Sequence, residues 1–148
     1  MKRSLMMIVL VVSAVVPMGY LAAHCEVPCG IYDDGARFKR IMEDQSTITK
    51  AIAGITDLAG TNGATGHNQL ARWVATKESH ATNIQHVIAQ YFMTQRIKAD
   101  DAKYVEKLTA AHAVMVAAMK CKQAADPATA EALDKAIHDF QHAYGGEH

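Results

Sequence analysis

Phe38-Lys39-Arg40-Ile41-Met42-Glu43-Asp44-Gln45-Ser46-Thr47-Ile48-Thr49-Lys50-Ala51-Ile52-Ala53-Gly54-Ile55 places Phe38, Ile41, Met42, Ile48, Ile52 and Ile55 at steps of three and four. Gln45 is the single polar interruption. That spacing draws one apolar stripe down a helix. Asp33 and Asp34 stand before the stripe, where a carboxylate can cap free N–H groups. Gly60-Thr61-Asn62-Gly63-Ala64-Thr65-Gly66 follows it and reads as a turn-rich loop.

Three more helices continue the pattern. A long one is expected from about His67 to Ile97, its buried side marked by Leu70, Trp73, Val74, Ala81, Ile84, Ile88, Tyr91 and Phe92. A break at Lys98 to Asp101 precedes a third helix with Val105, Leu108, Ala111, Met115, Ala118 and Met119 on its apolar face. Asp126-Pro127 opens the fourth, with Asp as cap and Pro at the first helical position. Its stripe is Ala130, Leu133, Ile137, Phe140 and Tyr144, and Gly145-Gly146 ends it. No segment alternates with period two. Short links between amphipathic helices favour antiparallel neighbours, so the expected fold is all-α, an up-down antiparallel four-helix bundle over about 34–145.

Ahead of the bundle, Lys2 and Arg3 precede an apolar run from Leu5 to Val16, broken only by Ser13. Pro17 and Gly19 then interrupt any helix, and Leu21-Ala22-Ala23 supplies small residues at its last two positions. These are the parts of a secretory leader. The run is shorter than the roughly 20 residues a membrane span needs, so cleavage is expected rather than an uncleaved anchor, with no stable membrane association afterwards. Residues 1–23 are therefore expected to be removed and the protein exported, periplasmic or secreted. The leader holds two of the 15 Lys+Arg (Lys2 and Arg3) and none of the 15 Asp+Glu, which leaves 13 against 15 and a formal charge of −2. Nothing in that balance suggests a nucleic-acid partner.

Cleavage after Ala23 would make His24 the first residue of His24-Cys25-Glu26-Val27-Pro28-Cys29-Gly30-Ile31-Tyr32. An α-amine, an imidazole and two thiols then lie within six residues. Two thiolates select soft or borderline metals: tetrahedral sulfur and imidazole suit zinc, and square-planar nitrogen and sulfur suit Ni(II) or Cu(II). A structural zinc site needs four side-chain ligands, and no second cysteine pair lies nearby. The His24 amine, the Cys25 amide and the Cys25 thiolate can form adjacent chelate rings, and Cys29 can complete the set. An ordinary Cys25–Cys29 disulfide is the bland alternative, and it leaves His24, Gly30 and Tyr32 unexplained.

His-Cys-x-x-Pro-Cys-Gly-x-Tyr at a processed N-terminus resembles the metal hook of the nickel-containing superoxide dismutase family. Ala36-Arg37-Phe38, Arg72-Trp73, Lys77-Glu78 and Tyr91-Phe92-Met93-Thr94-Gln95-Arg96 are similar to that family as well. The resemblance implies one nickel ion per subunit held by His24, Cys25 and Cys29 in a hook over residues 24–32. It implies cycling between Ni(II) and Ni(III) as superoxide is converted to O2 and H2O2. It further implies that the His24 imidazole is axial, that Tyr32 helps exclude or position the anion, and that Tyr91 is a second tyrosine near the pocket. A homohexamer and a processing peptidase also follow from it. The pattern departs at His80, which occupies a position where some members have an arginine in the network around the axial histidine. Glu43 and Glu78 are both candidates for the carboxylate that orients that imidazole.

A non-catalytic exported metal-binding or thiol-redox helical module is the rival reading; pure chelation would not require Gly30 and Tyr32. Cys121 is expected to be a lone thiol on the third helix. His138 and His142, four apart, read as polar surface, and His67, His86, His112 and His148 as surface or capping groups. Trp73, Tyr91 and Phe92 are expected in the core, and the charged residues of the helices on a solvated face.

Overall fold

The computed structural model describes residues 30–145 of the 148. From Asp33 onward these form four helices without a strand: α1 (Asp34–Asp57), α2 (Ala64–His86), α3 (Tyr104–Gln123) and α4 (Pro127–Tyr144). A π-helical segment, Val87–Arg96, continues α2. Cross-helix hydrogen bonds fix the register. Asp34 of α1 meets Tyr91 and Asp44 meets His80, so α1 and α2 run in opposite directions. Lys77 reaches the carbonyl of Cys121 while Gln85 reaches that of Met115, which makes α2 and α3 antiparallel. Asp34 with Tyr144 and Gln45 with Ala130 close α1 onto α4 in the same sense. The result is the expected up-down bundle.

Local chemistry sets the helix ends. The Asp33 carboxylate accepts from the Ala36 amide at 2.9 Å and caps α1, whereas Asp34 turns to other partners. Asp126 caps α4 through the Ala128 amide at 2.9 Å, with Pro127 at the first position. Gly145 ends α4 at φ 117°, the left-handed conformation that glycine adopts most readily.

Two helix boundaries differ from expectation. Ala64, Thr65 and Gly66 belong to α2 and not to the loop. The long second helix also changes pitch at Val87. There the Ile97 amide donates to Phe92, the Thr94 hydroxyl to Ala89 and the Gln95 amide group to Gln90, each spanning five residues. This wider winding keeps Val87, Ile88, Tyr91, Phe92 and Gln95 turned inward.

The core holds Phe38, Ile41, Ile48 and Ile52 of α1, Ala81 and Ile84 of α2, and Leu133, Ile137 and Phe140 of α4. At the end where α1 begins, Phe38, Phe92, Phe140 and Tyr144 form a ring cluster with centroids 4.8 to 5.7 Å apart. Such tilted and edge-on pairs add roughly 0.5–1.5 kcal/mol each beyond burial. Trp73 is only half-buried, lying over Gly54, where any Cβ would come within 2.6 Å of the indole nitrogen. The α3 stripe differs most from its expected form. Val105 and Met119 are exposed, and Val114, Ala117 and Cys121 are buried beside Ala111 and Ala118. Alanines surround that helix, so composition alone does not single out a face. Met42 and Val74 are likewise exposed.

Candidate metal centre and the polar groups of the bundle

His24, Cys25 and Cys29 lie outside the described residues. The described chain starts at Gly30, whose φ of +75° is a left-handed conformation suited to glycine directly after Cys29. Ile31 is 77% exposed, and Tyr32 is exposed as well. The helical unit begins at Asp33.

Two charged clusters organise the bundle. The first is centred on Asp34, in the opening turn of α1. Its Oδ1 accepts from the Tyr91 hydroxyl at 2.6 Å and from Arg96 Nε at 2.8 Å. Its Oδ2 accepts from Arg96 Nη2 and from the Tyr144 hydroxyl, both at 2.8 Å. One carboxylate thus ties α1 to the π segment and to α4. Burial alone would raise the Asp34 carboxyl. The bonds from Arg96, Tyr91 and Tyr144 outweigh it and hold the group at about 2. Burial and the bond to Asp34 push Tyr91 up to about 12, and the same causes raise Tyr144. Tyr91 is 3% exposed, with the Arg37 guanidinium 5.0 Å from its ring centre. Tyr91 lies in the core as expected, and its hydroxyl serves Asp34; residues 24–29 of the hook, near which the resemblance also puts it, lie outside the described residues.

The second cluster joins α1 to α2. Asp44, 1% exposed, places Oδ1 2.6 Å from Nδ1 of His80, and its Oδ2 accepts from the Asn83 amide group. Arg40 Nε lies 3.7 Å from the same Oδ2. One turn before His80, the Lys77 ammonium donates to the carbonyls of Cys121 and Lys122, each at 2.6 Å, and to Glu78 Oε1 at 3.1 Å. It therefore satisfies two free carbonyls at the end of α3.

Glu43 and Glu78, the candidates for orienting the His24 imidazole, are both described, whereas His24 lies outside the described residues. Glu43 is exposed, beside a groove lined by Gly35, Phe38, Lys39, Met42, Ser46 and Gln141. Glu78 pairs with Lys77. A different carboxylate, Asp44, holds His80, a pairing not expected from the sequence. A signal for it existed: Asp44 falls three residues after Ile41 and four before Ile48, on the buried stripe. Lys77 and Gln95 fall on the stripe of the second helix in the same way, and all three are buried.

The donors of the bundle do not suit a soft metal. No group of three or more His, Cys, Asp or Glu among the described residues could hold a metal ion. The described thiol, Cys121, is fully buried, and its Sγ donates to the Thr129 carbonyl at 3.2 Å. Burial pushes that thiol up, away from the thiolate a metal needs. His138 and His142 are exposed on α4, and His138 Nδ1 lies 2.9 Å from the Asp134 carbonyl.

The family model for nickel-containing superoxide dismutase matches residues 20–147, nearly the whole chain. The chain belongs to the nickel-containing superoxide dismutase family. The protein is accordingly an oxidoreductase that dismutates superoxide with a nickel cofactor. The match leaves residues 1–19 outside and takes in the whole His24–Tyr32 stretch. Neither a curated protein nor a solved structure matches the chain.

Proposed function

We propose that the active form of this protein begins at His24, after removal of residues 1–23 during export, and works as a homohexamer. The α-amine and imidazole of His24, the amide and thiolate of Cys25 and the thiolate of Cys29 hold one nickel ion per subunit. The observation that carries this reading is the extent of the family match, which sets most of the leader aside and includes the hook. The donor chemistry supports it: a buried neutral Cys121 leaves the soft donors to the two thiols of residues 24–29.

Bound nickel supplies the one-electron chemistry, alternating between Ni(II) and Ni(III) as superoxide is oxidised and reduced in turn. The thiolates and the deprotonated Cys25 amide donate electron density and bring the higher oxidation state within reach. The free α-amine requires that cleavage come before metal binding. Pro28 falls between the two thiols and restricts the backbone there, and Gly30 follows directly after the second. Tyr32 limits and orients access of the anion. Asp33 and Asp34 then anchor the first turn of α1, from which the hook departs along the chain.

Chains that retain Ala23, or carry Met before His24, test the reading directly. Each should lose most nickel and most superoxide consumption while keeping its helical circular dichroism. Full nickel content and activity with a blocked amine would refute it.

A further inference from the structure

One face of α1 points away from the core. Buried Phe38 and, from α4, Gln141 line a groove of about 370 Å³ between the two helices. Met42 stands at that groove and is 38% exposed, whereas Phe38, Ile41 and Ile48 on the same stripe are buried. Gly35, seven residues before Met42, has no side chain, and Ser46, one turn after it, has a small one. Both leave room for another helix to come close. A methionine between them is a flexible apolar group that adapts to whatever surface covers it.

The charges on this face suggest what covers it. Lys39 and Glu43 lie one turn apart on the α1 side of the groove. Lysine before glutamate is the weaker order for a pair within one helix. Among the described residues, neither side chain takes part in a salt bridge. The next cation along, Arg40, already lies 3.7 Å from Asp44. One positive and one negative group select neither an acidic nor a basic partner. They do match the same face turned around. Under a two-fold axis, Lys39 of one copy meets Glu43 of the other, and the reverse. Closed assemblies of a single chain are mostly built on such contacts.

We propose that this face of α1 binds a second copy of the chain, whose own α1 lies across it in the opposite direction. Lys39 and Glu43 then pair twice across the axis, and Met42 of each copy sits in the groove of the other. The contact rests on the homohexamer proposed above and names one of its faces. Burial of Met42 over Phe38 supplies affinity, and the charges set the direction. A parallel approach would place Lys39 against Lys39 and Glu43 against Glu43, which is repulsive.

The test uses processed, nickel-loaded protein, with its mass followed by sedimentation over a range of concentrations. Lys39→Glu and Glu43→Lys should each weaken association by about tenfold, since each puts two like-charged pairs across the axis. Met42→Lys should weaken it by at least about as much. All three positions are exposed, so each variant should keep the helical circular dichroism of the wild type. Mixing Lys39→Glu with Glu43→Lys in equal amounts should restore assembly, because one copy then offers two glutamates to two lysines. Association unchanged in all three variants would overturn the proposal. So would two charge variants that stay apart when mixed. A wild type that forms a dimer disrupted in this way would uphold the contact and overturn the homohexamer. A hexamer indifferent to the variants would uphold the homohexamer and overturn the contact. A monomeric wild type would overturn both.

Discussion

Asp34→Asn removes one negative charge without changing the size of the side chain, and the geometry around it sets the cost. The carboxylate is 18% exposed and Arg96 is 30% exposed, so the pair is only partly screened. A carboxyl held at about 2 instead of its ordinary 3.8 contributes about 2 kcal/mol at neutral pH. The asparagine NH2 group would also face a hydroxyl that now donates to an oxygen, Tyr91 or Tyr144, stranding it at a further cost of roughly 1 kcal/mol. The expected loss is about 2–4 kcal/mol, a fall in melting temperature of roughly 10 °C for a domain of this size. The sign with pH follows from the direction of each shift. Because the Asp34 carboxyl is lowered on folding, its contribution is full above the unfolded value of 3.8 and is lost as pH falls through about 2. Because Tyr91 is raised from 10.0 to about 12, its contribution is full below 10.0 and is lost as pH rises through about 12. Thermal and acid unfolding followed by far-UV circular dichroism, at matched protein concentration, measure both. Equal melting temperatures and superimposable acid transitions for wild type and Asp34→Asn would refute the role given to this cluster.

Five other substitutions extend the test. Cys25→Ser and Cys29→Ser should each abolish superoxide consumption, whereas Cys121→Ser should retain nickel and activity, its hydroxyl taking over the bond to the Thr129 carbonyl; nickel analysis of the three variants separates them. Gly54→Ala should destabilise by about 1–3 kcal/mol, because the new methyl lies 2.6 Å from the Trp73 indole nitrogen, and a red-shifted tryptophan emission should report the displaced ring. Lys77→Met should cost about 1–3 kcal/mol in denaturant unfolding, because the Cys121 and Lys122 carbonyls lose their shared donor.

The motif of the proposed hook and the helical stripes are legible in the sequence for the same reason: both are local. Phe38, Ile41, Ile48 and Ile52 on α1, and Ala130, Leu133, Ile137 and Phe140 on α4, follow the period of a helix and are buried as that period requires. The alanine-rich α3 has no such contrast, so Val114 and Cys121 were indistinguishable from Val105 and Met119. The change to π winding at Val87 leaves no mark, since Val87, Ile88, Tyr91, Phe92 and Gln95 also satisfy an ordinary helical spacing. The polar partners were out of reach because they are distant along the chain. Asp44 meets His80 after 36 residues and Asp34 meets Tyr144 after 110. A charge in register with an apolar stripe, as at Asp44 and Lys77, is the one sequence feature that pointed to such pairing.

The most direct measurement of the central claim is intact mass, metal content and superoxide consumption on protein purified from its native host. The polypeptide should begin at His24, carry one nickel ion per subunit and consume superoxide in proportion to its nickel. An active protein that begins elsewhere, or whose activity follows a different metal, would contradict it.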